Sequence, residues 1–506
     1  MKEGLQSSPM LRSKGRRLIT QWVQRQVDYL MRDWKRPSPT ESPLLFEIDA
    51  EPIDECLTAL GGVPLLIQAA RSLGVPGSVK QHVGLKQRQR GLDEASYVES
   101  FVILNALGGD CLEDFERLRE DPGLAEMAGY EMPSPGAARK FLYQFHDEEK
   151  VEQAQGKLRL GQASYIPEES AALQGLGRVN EEVVQELGRR CPNQKMATID
   201  LDSTVIESWK REAKPTYEGG TGYQPMLALW AEMDVIVAEE FRDGNVPAIQ
   251  EPLRVARRAF AALPDTVEER YFRGDAACYQ QELVSWLRNQ EREGPRGFIG
   301  FAISAPMMPA LREEIVSIEE ERWRAYQEDG EVIKEWAQSD YCPEQKQKWG
   351  WEPLRYIAVR IRKRQGDLFG DGSGVKYFAV VTNLWDWDGR KLLEWHREKA
   401  GSIEAVHHVI KNELAGGVLP CGRFGANAAW LRLVVLTHNV LTALKRLALP
   451  PELLQARPKR LRFLIFHTPG KLIHHARRTI LRLVRATARF SNWRRALELL
   501  PLPATG

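Results

Sequence analysis

The stretch MATIDLDST, residues 196–204, predicts the centre of the fold. It begins with an apolar run, Met196–Leu201, that has the length and composition of a buried strand, and it ends in a polar turn at Asp202. Because side chains two residues apart point to the same face of a strand, Asp200 and Asp202 share one face. The stretch therefore predicts a central strand that ends in a carboxylate.

The segments that follow alternate between strand and helix patterns. In chain order, hairpin strands are predicted at 226–230 and 235–239, a helix at 247–263, a strand at 269–273, a helix at 280–292 and a strand at 297–304. Together with the first strand, this order is three strands, a helix, a strand, a helix and a strand. It predicts an α/β fold, with an RNase H-like mixed sheet flanked by helices.

Changes in composition and pattern divide the whole chain into six regions. We expect a basic N-terminal arm at 1–52, a helical DNA-binding region and connector at 53–190, the first part of the core at 191–309, a strand-rich insertion at 310–375, the second part of the core at 376–450, and a basic C-terminal helical region at 451–506. Helical patterns recur at 389–414, 427–447 and 472–489. An ordinary helical packing domain is an alternative interpretation of residues 53–150.

Charge is distributed unevenly along the 506 residues, although the net charge is only +1. Residues 1–36 hold nine Lys and Arg against three Asp and Glu, and residues 451–506 hold twelve against two. Basic ends can neutralise nucleic-acid phosphates, or they can be solvated helix faces. The six cysteines form no C-x-x-C pair, and no signal-peptide core or apolar span is present, so we expect a cytoplasmic protein without a membrane segment.

Three acidic residues stand out as candidate metal ligands. Asp202 and Asp275 each follow a predicted strand, and Glu404 lies in the helical stretch 389–414. Carboxylates are the ligands that Mg²⁺ prefers, and two such ions can activate a nucleophile and stabilise the leaving oxygen in phosphodiester cleavage. Taken singly, the aspartates also fit turn or cap positions, and Glu404 also fits a solvated helix face. Asp200 is a further candidate ligand.

These motifs resemble those of insertion-sequence DDE transposases of the cut-and-paste type. The likeness runs from about 195 to 450 and includes DLDST at 200–204, Arg273-Gly274-Asp275, YEGGTGYQP at 217–225 and FRDGN at 241–245. The family's helix signature places a Lys seven residues after the catalytic Glu, as Lys411 follows Glu404 here. The signature's Tyr and Arg positions hold Arg397 and Ala400 instead.

The resemblance implies a catalytic triad of Asp202, Asp275 and Glu404 that binds two Mg²⁺ ions, for which Mn²⁺ can substitute. It also implies DNA contacts by Lys411 and Arg273, with Arg397 or Lys399 supplying the phosphate contact that Ala400 lacks. The expected function is DNA transposition by a homodimer in a bacterial nucleoid, which binds terminal inverted repeats of double-stranded DNA, cuts them and joins the 3′-hydroxyls to target DNA. The alternatives are a nuclease of the same fold that does not join ends, which Ala400 favours, and a DNA-binding regulator derived from a transposase.

Overall fold

The computed structural model describes residues 51, 55–85, 91–343, 353–363, 374–484 and 490–503. The chain divides into two compact units, Met1–Glu55 and Cys56–Gly506, and the description below concerns the second. The basic arm predicted at 1–52 lies outside the described residues, apart from Glu51.

A nine-stranded mixed sheet forms the centre of the second unit. Its strands are β2 (Met196–Ser203), β6 (Met226–Trp230), β7 (Val235–Glu240), β8 (Glu269–Gly274), β9 (Gly300–Ala305), β10 (Arg324–Asp329), β11 (Val332–Ser339), β12 (Arg355–Lys363) and β13 (Lys376–Thr382). The order across the sheet is β10-β11-β12-β13-β9-β8-β2-β6-β7. Strand β2 runs antiparallel to β6 and parallel to β8, and β8 runs parallel to β9. The predicted mixed sheet is therefore confirmed.

Two short sheets complete the described strands. One consists of β3 (Ile206–Glu207), β4 (Lys214–Pro215) and β5 (Thr221–Tyr223), in the order β3-β5-β4, and follows the carboxyl end of β2 in the chain. The other consists of β1 (Leu57–Thr58), β14 (Gly470–His475) and β15 (Arg478–Leu483), in that order. It joins the beginning of the second unit to its end.

Helices precede, interrupt and follow the central sheet. Before β2 they are α1 (Val63–Ser72), α2 (Val75–His82), α3 (Glu94–Leu107), α4 (Asp114–Arg119), α5 (Pro122–Ala128), α6 (Pro135–Tyr143), α7 (Glu148–Gly156) and α8 (Ala171–Arg190). After it begins they are α9 (Pro252–Ala261), α10 (Gln281–Arg288), α11 (Pro309–Val316), α12 (Gly389–Glu413), α13 (Phe424–Leu447), α14 (Pro458–Leu461) and α15 (Phe490–Glu498). Helix α12 packs against β2, β8 and β9, whereas α8, α9 and α13 pack against β7.

Helix α13 is buried along almost its whole length, which makes it the core of the helical part. Burial of each large apolar side chain contributes about 1.5–3 kcal/mol. Two of its buried polar side chains are paired within the core: the Asn439 side chain bonds to the backbone of Ile236, and Arg432 forms ion pairs with Glu239 and Glu169. Among the described helices, none combines the length and apolar character needed to cross a membrane.

The predicted insertion at 310–375 does not form a separate sheet in its described part. Strands β10, β11 and β12 pair antiparallel in sequence, and β12 pairs with β13, which in turn pairs with β9 of the core. The strand-rich character was predicted, but the insertion extends the central sheet because β13 joins both parts by hydrogen bonds.

The helix predicted at 472–489 is wrong in its described part, where β14 and β15 form a hairpin. The two-residue turn, Ala476-Arg477, adopts positive φ at both positions, 49° and 62°, without a Gly or Asn to signal it. Leu57 and Thr58 pair with β14, so the first described helix of the region expected to be helical from residue 53 begins only at Val63. Tertiary pairing of distant segments therefore overrides the local helical pattern at both places.

Candidate active site

Asp202 and Asp275 lie at the carboxyl ends of two neighbouring parallel strands. The register of β2 and β8 pairs Leu201 with Gly274, so the aspartates occupy the next position on each strand. The Asp275 carboxylate accepts a hydrogen bond from the Ala277 amide at 3.0 Å, which caps a short 3₁₀ turn. That turn needs Gly274, because a Cβ there would lie 2.5 Å from the Cβ of Cys278. Sequence and register thus place two carboxylates side by side.

The electrostatic surroundings of Asp202 combine burial with one cation. Lys399 Nζ on α12 lies 3.5 Å from Asp202 Oδ2. Burial raises the pKa of Asp202 above its ordinary value, and the charge of Asp275 raises it further, whereas the Lys399 ammonium lowers it. The two carboxylates and the ammonium carry a net charge of −1 when all are ionised. The site therefore favours additional positive charge.

Asp200, the candidate auxiliary ligand, is occupied by a different interaction. Its side chain is fully buried, and both oxygens bind Arg273, at 2.6 Å from Nε and 2.9 Å from Nη2. The Ser402 hydroxyl also donates to it. In this structure Asp200 is therefore an ion-pair partner and offers no free oxygen to a metal ion, although it shares a strand face with Asp202.

Arg273 likewise differs from the sequence-based expectation of a DNA contact. Its side chain is 2% exposed. Besides Asp200, it binds the carbonyl oxygen of Trp395 at 2.6 Å and Glu398 at 3.1 Å, and it stacks on the Trp395 ring. A buried guanidinium with these partners cannot reach a DNA phosphate. It fixes α12 against β2 and β8 instead.

Sequence reasoning missed the residues that hold α12 in place. His396 donates from Nε2 to the carbonyl oxygen of Gly274 at 3.1 Å, and Ser402 binds Asp200. These residues lie on the face of α12 that also presents Lys399. Burial lowers the pKa of His396 to about 4, so the ring is neutral at physiological pH. The spacing of residues 395, 399, 402, 403 and 406 could have indicated this buried face.

Glu404 lies on the flank of α12 rather than on its buried face, and its side chain is exposed. Lys411, seven residues later, lies about 20° from Glu404 around the helix axis. The Lys411 ammonium donates to the carbonyl oxygen of Val205 at 3.3 Å, so this flank faces the segment that follows Asp202. The structure does not gather Asp202, Asp275 and Glu404 into a cluster with ligand atoms within 4.8 Å of one another.

Arg397, the other candidate phosphate contact, binds outside the aspartate pair. Its Nη1 donates to Gln327 Oε1 at 2.6 Å, which attaches α12 to strand β10. Arg397 and Lys399 were the two candidates for the phosphate contact that Ala400 cannot make. Of these two, Lys399 contacts a candidate metal ligand, Asp202.

The segment YEGGTGYQP contributes β5 to the short β3-β5-β4 sheet, and FRDGN contacts that strand through a bridge between Asp243 and Tyr223. Gly244 is required there, because a Cβ would lie 2.6 Å from the carbonyl oxygen of Gly222. Tyr217 is 76% exposed. Its pKa is raised first by partial burial and Glu218, and then by the charges of Asp202 and Asp275, so its ring lies within electrostatic reach of both. These segments support the site without adding a carboxylate ligand to it.

The donor chemistry of Asp202 and Asp275 fits a divalent cation. Both carboxylates remain accessible at a strand edge, their charges repel each other, and the ammonium partner is held through a single oxygen contact. A separate cluster, Asp110, Cys111 and Asp114, is the described group of three ligand atoms within 4.8 Å. There Asp114 accepts hydrogen bonds from the Asp110 and Cys111 amides, which is ordinary turn chemistry.

Comparisons with known proteins complete the description of the site. A search of curated protein sequences finds no match. Among solved structures, a piggyBac transposase synaptic complex with hairpin DNA, determined by cryo-electron microscopy, is similar with a TM-score of 0.43 and 10% identity, covering 79% of this chain and 78% of that chain. The sequence profile of the family described as transposase DDE domain group 1 matches residues 47–503. Because that match spans most of the chain, the protein belongs to the DDE transposase family.

Proposed function

We propose that this protein catalyses cut-and-paste DNA transposition, with Asp202, Asp275 and Glu404 as its catalytic carboxylates. The observation that carries the proposal is the juxtaposition of Asp202 and Asp275 at the ends of adjacent parallel strands, with Lys399 against them. Membership of the DDE family supplies the reaction class. The substrate would be double-stranded DNA at terminal inverted repeats, bound by a homodimer at the bacterial nucleoid.

Asp202 and Asp275 would hold two Mg²⁺ ions together with Glu404. When bound, such ions supply an activated hydroxyl nucleophile and charge stabilisation at the leaving oxygen. Asp200 has a different role in this proposal, since it fixes Arg273 and so keeps β2, β8 and α12 in register. The exposure of Glu404 leaves its carboxylate accessible from the flank that Lys411 shares.

Two lysines of α12, Lys399 and Lys411, would bind and orient the DNA. Lys399 is 8% exposed, so it presents its ammonium beside Asp202 rather than to bulk solvent. There it can contact a phosphate oxygen of the strand being cut, which is the role that Ala400 cannot take. Lys411 would contact a second phosphate after it leaves the Val205 carbonyl oxygen. The strand-end carboxylates and these two lysines together complement a phosphodiester.

Cleavage of labelled duplex DNA from the flanks of the encoding gene tests the proposal. We expect Mg²⁺-dependent cutting by the full chain, and its loss in Asp202→Ala, Asp275→Ala and Glu404→Ala, with DNA binding retained. Matched controls are Asp386→Ala and Glu394→Ala, which remove exposed carboxylates near the beginning of α12. Normal cutting by Asp202→Ala or Asp275→Ala would remove that residue from the site, and normal cutting by Glu404→Ala would leave the third ligand to be found.

A nuclease that cuts without joining is the second candidate, and Ala400 is the observation that favours it. The two functions differ in their products. A transposase converts a pre-cut end and a target plasmid into a joined product, whereas the nuclease yields only ends. If Ala400→Arg creates joining in a protein that otherwise only cuts, the nuclease assignment holds. DNA binding without cutting, in both Mg²⁺ and Mn²⁺, would instead indicate a regulator.

A further inference from the structure

The hairpin of β14 and β15 is an unusually cationic surface in a nearly neutral protein. Residues 470–483, GKLIHHARRTILRL, include Lys471, Arg477, Arg478 and Arg482 together with His474 and His475, and they contain no Asp or Glu. The whole chain has a net charge of +1. Positive charge is therefore concentrated here beyond what solubility requires.

One face of the hairpin packs against the helical part of the chain. Leu472 is 4% exposed and pairs with Leu481 across the strands. It lies so close to α5 that a Cβ at Gly123 would be 2.6 Å from its Cδ1. His474, on the same face, has its Nε2 3.0 Å from a carboxylate oxygen of Glu126. This face fixes the hairpin to the protein body.

The opposite face presents cations on both sides of an apolar pair. The register places Lys471 opposite Arg482, Ile473 opposite Ile480, and His475 opposite Arg478. Arg478, Arg482 and His475 are exposed, and Ile480 is 42% exposed. Strand β15 is the edge of its sheet, so the face ends in an open strand. We call these six side chains the cationic hairpin face.

The turn of this hairpin costs stability in the isolated protein. Its residues Ala476 and Arg477 adopt left-handed φ without being Gly, Asn or Asp, which is unfavourable. The turn places the exposed Arg477 at the tip of the hairpin. An anionic partner would contact the tip arginine.

Duplex DNA matches the dimensions and chemistry of the cationic hairpin face. A two-stranded ribbon fits the major groove, which is about 12 Å wide. Arg478 and Arg482 are four residues apart on β15, which corresponds to roughly 13 Å along a strand. The cations can therefore reach phosphates on both sides of the groove while Ile473 and Ile480 face its floor, where thymine methyl groups offer apolar contacts.

We propose that the β14–β15 hairpin binds double-stranded DNA by inserting its cationic face into the major groove, outside the catalytic site. This inference rests on the proposed function, because it specifies a second contact with the same class of substrate. It assigns Arg477, Arg478 and Arg482 to phosphate contacts. The hairpin, and not a helix, is then the DNA-binding element of this part of the C-terminal region.

The salt dependence of DNA binding by the full chain tests this inference. The probe is a labelled duplex of mixed sequence, and the variant is Arg477→Gln/Arg478→Gln/Arg482→Gln. Each lost phosphate contact should reduce the slope of log K against log salt by about 0.9, so we expect a reduction of roughly 2–3 and at least about tenfold weaker binding near physiological salt. The matched control, Arg312→Gln/Arg324→Gln/Arg390→Gln, removes three exposed arginines elsewhere and should leave the slope unchanged.

The triple lysine variant at the same three positions separates charge loss from misfolding. It retains the charges, so binding close to that of the wild type together with a deficient glutamine variant supports the inference. An unchanged slope in the glutamine variant overturns it. So does a change in oligomer mass, measured by sedimentation, without a change in DNA binding, because the face would then contact a second copy of the chain.

The outcomes also distinguish this inference from the proposed function. If the wild type binds and cuts DNA in an Asp202-dependent manner but the glutamine variant keeps its slope, only the hairpin assignment fails. If the wild type binds duplex but never cuts, and the glutamine variant shows the reduced salt slope, the hairpin assignment stands and the catalytic proposal fails. If the wild type does not bind duplex at all, both fail.

Discussion

Strand β2 carries two aspartates whose carboxylates are neutralised differently. Asp200 lies in the interior of the β2–β8 strand pair, and Asp202 lies at the carboxyl end of β2. Asp200 is fully buried and binds Arg273 through both oxygens, with Ser402 as a third partner. Asp202, two residues further on, is partly exposed and has Lys399 at 3.5 Å from one oxygen. The same residue type on the same strand face therefore has two environments.

The difference shows which carboxylate can exchange its partner. A bidentate guanidinium pair satisfies both oxygens in a fixed geometry, and breaking it leaves a buried charge without compensation. A single ammonium contact on a partly exposed carboxylate leaves oxygen lone pairs that a divalent ion can bind. We infer that the interior pair maintains the structure, while the edge pair leaves Asp202 available for chemistry.

The largest effect should follow from neutralising Asp202, the carboxylate at the end of β2. We expect Asp202→Asn to reduce the rate of Mg²⁺-dependent DNA cleavage by about a thousandfold or more, because loss of metal-based charge stabilisation removes several kcal/mol from the transition state. The free energy of unfolding should change little, since burial already raises the pKa of Asp202 and so disfavours its charged form. Single-turnover cleavage and urea unfolding measure the two quantities, and a stability loss as large as that of the next variant would contradict the comparison.

Breaking the interior pair should produce the opposite pattern. Arg273→Met leaves the Asp200 carboxylate buried without its partner and should lower the free energy of unfolding by about 3–5 kcal/mol. Urea unfolding measures the loss. The double variant Asp200→Leu/Arg273→Met serves as its control, because removing both charges should recover much of the stability. A loss below about 1 kcal/mol in Arg273→Met would show that the pair is not structural.

Two buried histidines of α12 predict how the free energy of unfolding depends on pH. His396 lies beside the interior pair, and burial lowers its pKa to about 4; His407 is also buried, with Lys411 and Lys399 nearby, and its pKa falls to about 3. Each pKa lies below the ordinary value of about 6.5, so the unfolded chain takes up protons first as the pH falls below 6.5. The free energy of unfolding should therefore decrease by about 1.4 kcal/mol per pH unit for each histidine.

Urea unfolding at pH 7 and pH 5.5 measures that slope. His407→Gln should remove one histidine's share of it, whereas the exposed His408→Gln should leave it unchanged. An equal slope in the His407 variant and the wild type would show that this ring is protonated as easily in the folded state as in the unfolded chain.

The smallest effect should come from replacing Lys399, the cation beside Asp202 at the carboxyl end of β2. Lys399→Met keeps the packing of the aliphatic stem but removes the ammonium that opposes a metal ion. We expect the Mg²⁺ concentration for half-maximal cleavage to fall by about fivefold, while the maximal rate also falls because a phosphate contact is lost. Lys391→Met, on the first turn of α12, is the control. A higher Mg²⁺ requirement in Lys399→Met would show that Lys399 assists metal binding instead of opposing it.

Local patterns were sufficient to predict the core of the fold. The apolar runs of β2, β6, β7, β8 and β9 and the helices between them were predicted close to their observed positions, because strand length and apolar periodicity are local properties. The sheet extension by β10–β13 was not predicted, since it depends on pairing between β13 and β9, which are far apart in sequence. The C-terminal hairpin was missed because its turn, Ala476-Arg477, has no typical turn residue.

The candidate site shows the same division. The strand-end positions of Asp202 and Asp275 followed from the sequence, but the distinct role of Asp200 did not. Both β2 aspartates share a face, and only the register with β8, which sets Arg273 opposite Asp200, separates them. The exposure of Glu404 was also not evident from its spacing to Lys411, because spacing fixes a relative angle and not the direction of the buried face.

Helix α13 has a consequence for how the chain is made. It packs against α1, α3, α6 and α8, yet it ends only at Leu447, and β1 gains its partner strand only when β14 has been synthesised. The N-terminal helices must therefore wait until the chain has been synthesised through α13 before their apolar faces are covered, with the exposure to aggregation that such a delay brings. A product that terminates before α13 would lack the core on which those helices pack. Synthesis through α13 thus becomes a condition for folding of this unit, and shorter products would not accumulate as folded competitors of the protein.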